Sequence, residues 1–379
     1  MFKKIPFERV EWITFSFLIG TLALAVFAVP AYLFFFDAGA FTWGLFAFYS
    51  VATGLSITLG YHRLYSHLSF KANLPVRLFV AIFGAAAWEN SILNWCSDHR
   101  RHHKHVDHDD DPYNINNGFW YAHIGWLLFK LKPEPPMDNV NDLRKSPLVR
   151  WQHQYVHYIA AFVGFVLPTL LGWLYYGNWQ GALGCFLIAG VLRTVFVQHA
   201  TFCINSACHY FGNQPYSSRH SARDSWVMAL FTYGEGYHNY HHEFQHDYRN
   251  GVKIWQWDPT KWTIWLLSKL GMTWDLRRVP NAKILLAELQ ETRKQIENGI
   301  ALTKSESFSA AVQARVDASV LYLEQASESF SNFYAELQTA ASEKIELSRQ
   351  KVATLRKEID TALVHIDSIL RARTTTIPC

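Results

Sequence analysis

The sequence predicts an all-α integral membrane protein: four transmembrane helices, a helical cap on the cytosolic side, and soluble helices at the C-terminus. Three observations lead there. Half of the 379 residues are hydrophobic and only 17% are charged, an apolar balance for a water-soluble domain. Four long apolar runs punctuate the first 202 residues. Polar, histidine-rich stretches follow these runs closely, above all "SDHRRHHKHVDHDDDP" (97 to 112), which comes just after "VRLFVAIFGAAAW".

The first run, "ITFSFLIGTLALAVFAVPAYLFFF" (13 to 36), and the second, "FTWGLFAFYSVATGLSITLGY" (41 to 61), carry no charge, and each is long enough to cross about 30 Å of hydrocarbon. The first reads as a retained helix: its apolar core is too long for a signal peptide, and no small-residue cleavage pattern follows. The third and fourth, 156 to 177 and 179 to 202, are broken only by a lone Arg193. The connections "DAGA" and "GN" hold no Lys or Arg, whereas "FKKIPFER" and the segment from 62 to 151 hold many. Positive charge marks the cytosolic side, so both termini and every histidine cluster are expected there.

Residues 75 to 95 are apolar but interrupted by Glu89 and Asn90, which suits an interfacial or re-entrant helix better than a span. From 281 the composition turns to Ala, Glu, Ser and Lys, dividing the chain into a membrane domain (1 to 280) and a helical tail (281 to 379). In the tail, Val352, Leu355, Ile359, Ala362, Ile366 and Ile369 recur in threes and fours, a short heptad pattern fit for pairing with another helix or for packing on its own domain. A net charge of +4 is too small to argue for nucleic acid. The cysteines 96, 185, 203, 208 and 379 show neither a disulfide framework nor zinc-finger spacing.

Nine of the 18 histidines fall into four patterns: "HRLYSH" (His62, His67), "HRRHH" (His99, His102, His103), "NSACH" (His209, with Asn205) and "HNYHH" (His238, His241, His242). On a 3.6-residue helix the first histidine of HxxHH lies about 60° and 40° from the other two, so all three should point one way. In HxxxxH the rings lie about 140° apart, which suits two ions, or a place where the helix unwinds. Nine imidazoles exceed what one ion takes, and two metals sharing the set is the economical count. Attack on an unactivated C–H bond beside a membrane calls for an oxygen-activating redox metal, which favours iron. Asp98 and "DHDDDP" offer anionic partners to orient the rings. Taken singly, Asp109, Asp110 and Asp111 read as a solvated turn, and His105, His108, His123 and His246 as structural or solvated.

Over roughly residues 10 to 280 the chain resembles the membrane-bound fatty acid desaturases of the acyl-CoA Δ9, stearoyl-CoA type. "HRLYSH", "DHRRHHKHVD", "GFWYAHIGWLL", "NSACHYFG", "PYSSRHSARDSWVMALFTYGEGYHNYHHEF" and "WDPTKW" carry the resemblance, in order and spacing. It implies four membrane helices under a cytosolic cap with a di-iron site at their junction, and O2 as co-substrate. The ligand role falls on the nine histidines named above, with Asn205 holding a metal-bound water. Glu89, Asn90 and Trp95 match positions that bend the acyl tunnel, although glutamine stands at the first in animal enzymes. Ser50 and Gly54, about 18 and 12 Å before His62 along the second span, match its floor. At the headgroup end Ser97 replaces an arginine, and a basic pair survives only as Lys130 and Lys132.

The activity implied is insertion of a cis Δ9 double bond into a saturated sixteen- or eighteen-carbon acyl chain, as acyl-CoA or on a lipid or acyl-carrier protein. A separate donor such as ferredoxin or cytochrome b5 is expected to supply the electrons, because the tail holds no recognisable haem-binding segment or Fe–S cysteine set. A lipid or alkane hydroxylase is the alternative enzyme, and a metal transporter the alternative outside catalysis.

Overall fold

A computed structural model describes residues 7–130 and 136–304 and a scatter of positions between 317 and 357. The chain forms two units, Met1–Asn213 with His220–Arg278, and Gln214–Arg219 with Val279–Cys379.

In the first unit the helices are α1 (Trp12–Phe35), α2 (Ala40–Ser66), α3 (Leu74–Ala86), α4 (Ile92–His105), α5 (Pro147–Tyr176), α6 (Trp179–His209), α7 (Trp226–Phe231), α8 (His238–Glu243) and α9 (Pro259–Lys269), with shorter turns between them. Four of these, α1, α2, α5 and α6, are long and apolar enough to cross a membrane, at 24, 27, 30 and 31 residues. Exposed Ile13, Val26, Phe27, Phe34 and Phe35 on α1 form the kind of surface that lipid, not water, covers. Pro147 opens α5, Gly177 ends it with φ +67°, and the Asn178 carboxamide accepts from Gly181 N–H to start α6.

Apolar character stops at about 61 and 202, yet α2 and α6 run on to Ser66 and His209. Burial explains the extension. Every residue of Ser56–Ser66 is buried, so protein in place of lipid surrounds the polar side chains there. At 1.5 Å per residue α2 is about 40 Å long, well beyond the hydrocarbon thickness. The histidine-bearing ends of both helices therefore project into a polar cap.

Helix α3 is about 20 Å long and too short to span. The Asn73 side chain caps it, and it packs closely on α2: a Cβ at Gly60 would collide with Val80, and one at Gly84 with Tyr61. Two residues beside α3, Lys71 and Ala72, pair antiparallel with Trp274 and Thr273. Between α3 and α4 the chain turns through an elbow, 87 to 91, in which Trp88 and Asn90 adopt φ of +61° and +74°. The Ser91 hydroxyl then caps α4, and the Gln152 side chain from α5 accepts the Ile92 N–H. A core of Ile57, Leu64, Val80, Ile92, Val140 and Ile264 supports the cap.

In the second unit α10 (Asn281–Lys304) buries Ile284, Leu285 and Leu289. Its Glu291 carboxylate accepts from Ser218 N–H at 3.0 Å, and Lys294 Nζ donates to the Ser218 hydroxyl at 2.8 Å. The heptad positions Val352 to Ile369 lie outside the described residues.

Candidate metal centre

The nine motif histidines converge into two groups: His62, His67, His99, His103 and His241, and beside them His102, His209, His238 and His242. Within each group the ligand nitrogens lie within 4.8 Å of one another. The inward atoms are Nε2 throughout: His62 to His241 is 2.9 Å, His67 to His99 2.8 Å, His103 to His241 3.0 Å, and His238 lies 3.1 Å from both His209 and His242. The His103 and His242 rings stack at 4.2 Å, so the two groups share a wall.

This partition corrects two expectations. His62 and His67 belong to one group, where a straight α-helix would set them apart. Ser56–Ser66 winds as a π-helix, and the His67 N–H donates to the His62 carbonyl at 3.1 Å. That five-residue closure places the two rings on one side, with centroids 4.7 Å apart. Nor do the three histidines of HxxHH aim at one point. In α4 the pair four apart, His99 and His103, joins the first group and His102 the second. In α8 the pair four apart, His238 and His242, joins the second and His241 the first. An i, i+4 pair lies about 40° apart, whereas the middle histidine lies about 100° from the last, enough to reach a neighbouring ion.

Four of the outward nitrogens have partners, those of His62, His99, His102 and His209. His62 Nδ1 lies 2.9 Å from the Glu235 carboxylate, which also accepts from Arg63 at 2.8 Å. Arg63 in turn donates to Asp258, and all three side chains are buried. His102 Nδ1 pairs with Asp111 at 2.9 Å, and the Tyr113 hydroxyl stands 3.3 Å from His99 Nδ1. His209 Nδ1 meets the Ser221 hydroxyl at 2.7 Å, which donates to Asp107 at 2.5 Å. With Nδ1 occupied outside on these four, Nε2 is left as the ligand atom inside, the arrangement that metal-binding histidines use. Burial, then neighbouring histidines, hold His67, His99, His103, His238, His241 and His242 well below the ordinary imidazole range, so they are neutral and able to donate a lone pair at pH 7. Burial alone would raise the Glu235 carboxyl, but Arg63 and His62 outweigh it and hold the group below its usual range.

Beside the first group lies a cavity of about 280 Å³ whose wall includes Trp88, Glu89, Asn90, Trp95, His99 and Asn205. Trp95 stacks on His99 at 4.8 Å. The Glu89 carboxyl accepts from the Thr201 hydroxyl at 2.8 Å and from Trp95 Nε1 at 3.3 Å, and burial lifts it to about 8 against those bonds. The residues present thus offer a set of nitrogens fitted to two metal ions, next to a mostly apolar chamber.

The fatty acid desaturase family profile matches residues 40–258. This chain belongs to the fatty acid desaturase family. It is 44% identical over 250 residues to the probable acyl-CoA desaturase of Schizosaccharomyces pombe, covering 66% of this chain and 52% of the other. It is also 44% identical over 252 residues to acyl-CoA desaturase 1 of Saccharomyces cerevisiae, covering 66% and 48%. With the human stearoyl-CoA desaturase it shares 38% over 250 residues, covering 65% and 69%. The chain spans about half the length of the two fungal relatives.

Within this desaturase fold some expected positions stand elsewhere. Ser50 and Gly54 do not line the described cavity. The Tyr233 ring fills the space over Gly54, and its hydroxyl donates to the Ser50 carbonyl at 2.9 Å, so the small residue at 54 seats a tyrosine. Lys130 pairs with Glu11 at 2.6 Å, while Lys132 lies outside the described residues. Ser97 is buried and donates to Asn139 at 2.8 Å. His246 Nδ1–H donates to the His67 carbonyl at 3.0 Å, and His123 contacts His199 and Ser206. Asp111 is not the solvated turn expected, being 1% exposed beneath His102, although Asp109 and Asp110 are exposed. Sequence reasoning passed over Glu235, Ser221, Tyr113 and Asp258, whereas Asp107 and Asp111 both fall in the "DHDDDP" stretch expected to orient the rings. A trace existed for one of them: Glu235 is a lone charge between two glycines, three residues before His238.

Proposed function

We propose that this chain is an O2-dependent fatty acyl desaturase that places a cis double bond, at Δ9, in saturated sixteen- and eighteen-carbon acyl-CoA. The observation that carries the reading is the paired set of convergent Nε2 atoms opening on an apolar cavity through His99 and Trp95. The names of the relatives support the acyl-CoA form of the substrate.

The nine histidines would hold two irons, His62, His67, His99, His103 and His241 at one and His102, His209, His238 and His242 at the other, with Asn205 holding water from the cavity side. Bound iron would supply the activation of O2 that breaking an unactivated C–H bond requires, with two electrons delivered by a separate donor protein such as ferredoxin or cytochrome b5. The chain's own part is positioning. Glu235 and Asp111 fix the orientation of His62 and His102 and offset positive charge. Trp95, stacked on His99, keeps the acyl carbons against the ligand wall and water away from it. Both termini and the cap are assigned to the cytosol, where the thioester and the donor would be met.

Expression in a desaturation-deficient host, followed by lipid analysis, tests the reading. The wild-type chain should yield monounsaturated products at one position, and His238→Ala should yield none while still inserting in membranes. Hydroxylated products from the wild type, or full desaturation by His238→Ala, would overturn it.

A further inference from the structure

Arg193 sits midway along α6, is 0% exposed, and pairs with no carboxylate among the described residues. A charge at membrane depth is costly and needs a reason. Its guanidinium is spent on backbone carbonyls: Nη1 donates to Ala86 O at 2.7 Å, Nη2 to Gly164 O at 3.0 Å, and Nε to Ala189 O at 3.2 Å in its own helix. Its flat face lies 5.6 Å from the Tyr49 ring centroid of α2. One side chain thus ties α2, α3, α5 and α6 together.

Ala86 is the last residue of α3, where helix carbonyls lack intrahelical partners and the helix dipole is negative. It opens directly into the elbow. Trp88 and Asn90 hold φ above zero, a conformation asparagine tolerates but a bulky tryptophan adopts only when its surroundings impose it. Five residues farther along α6, Gln198 Nε2 donates to the Trp88 carbonyl at 2.9 Å. The Trp88 ring stacks on Phe17 at 4.5 Å and packs, tilted, against Phe165 at 5.3 Å. Gly164 completes the junction: a Cβ there would stand 3.0 Å from Trp88 Nε1 and 3.4 Å from both Ala86 O and Arg193 Nη2. Trp88, Glu89 and Asn90 are also cavity wall.

We propose that Arg193 is a positioning residue for the cavity: by capping α3 and pinning the elbow, it sets where the acyl chain bends relative to the histidines. The inference rests on the desaturase reading for the identity of the occupant. Two carbonyls on separate elements need a planar fork of donors; a lysine ammonium reaches one well and not both.

The test compares wild type with Arg193→Lys, Arg193→Met and Gly164→Ala, the last disturbing the same junction without touching the charge. Two readouts are taken: the saturated acyl chain length, in an acyl-CoA series from fourteen to eighteen carbons, that best protects the iron-loaded protein against thermal unfolding, and the double-bond position of products in membranes. Arg193→Lys and Gly164→Ala should shift the preferred length, scatter the double bond over neighbouring positions, and lower turnover up to about hundredfold, as misplacement near 1 Å does. Iron content should not change. Arg193→Met should do more of the same, or fail to insert. A purely structural arginine would cost stability in all three variants yet leave both the length profile and the bond position as in wild type, and that result would overturn the inference. A wild-type chain that binds acyl-CoA but makes no double bond would defeat the desaturase reading instead, with the length profile still deciding the role of Arg193.

Discussion

At the scale of single residues, Glu89 is the sharpest departure from ordinary chemistry. Its carboxyl is enclosed by the cavity wall with only Thr201 and Trp95 as donors, and burial lifts it from 4.5 to about 8. Between those two values the unfolded chain has released its proton while the native chain still holds one. Stability attributable to this group therefore falls as pH rises from about 4.5 to 8 and levels off above. Glu89→Gln keeps the shape and removes the proton. Its melting temperature should match wild type near pH 5 and exceed it progressively toward pH 8; parallel curves across that window would show that the carboxyl carries no such cost. Burial decides differently at Glu235, where Arg63 and His62 supply the compensation that Glu89 lacks.

At the scale of elements, the two HxxHH helices contribute in opposite senses, a pair to one group and the middle histidine to the other. Adjacent histidines of α8 consequently belong to different groups. His241→Ala should empty the first centre and His242→Ala the second, each leaving about one iron per chain by metal analysis. Equal and complete loss of metal from both variants would mean that the centres fill only together. The helical spacing was legible in the sequence, and so was the likelihood of two metals. The division was not, because it depends on the π-wound end of α2 and on the approach of α8 to α4, helices more than 130 residues apart. The same limit accounts for Gly54: a small residue on a span advertises that something packs there, and only the fold reveals that it is Tyr233.

At the scale of the whole molecule, the boundary near 280 deserves a sharper experiment than removal of the tail at one point. The loop Gln214–Arg219 belongs to the same unit as α10, through Ser218 with Glu291 and Lys294, and Gln295 with the Gln214 carbonyl. Truncation after 304 retains those bonds and should leave desaturation in membranes near the wild-type level. Truncation after 285 removes them and should increase proteolytic cutting within 214–219. Equal protease resistance of the two truncations would show that these hydrogen bonds do not hold the loop.

What the sequence determined by itself is the class of protein and its inventory. A helix that crosses hydrocarbon must be long and mostly apolar, so the four spans are written in composition, and the nine histidines stand out because their spacing repeats at helix ends. Tertiary structure decided the rest: which histidines group together, that Glu235, Asp111 and Ser221 back the rings, that Arg193 binds carbonyls, and that Ser50 and Gly54 meet Tyr233. The physical reason is one of range. Periodicity along a helix fixes directions within that helix, while coordination, hydrogen bonding and cavity shape depend on where separate helices meet, and those meetings are set by the packing of the whole chain.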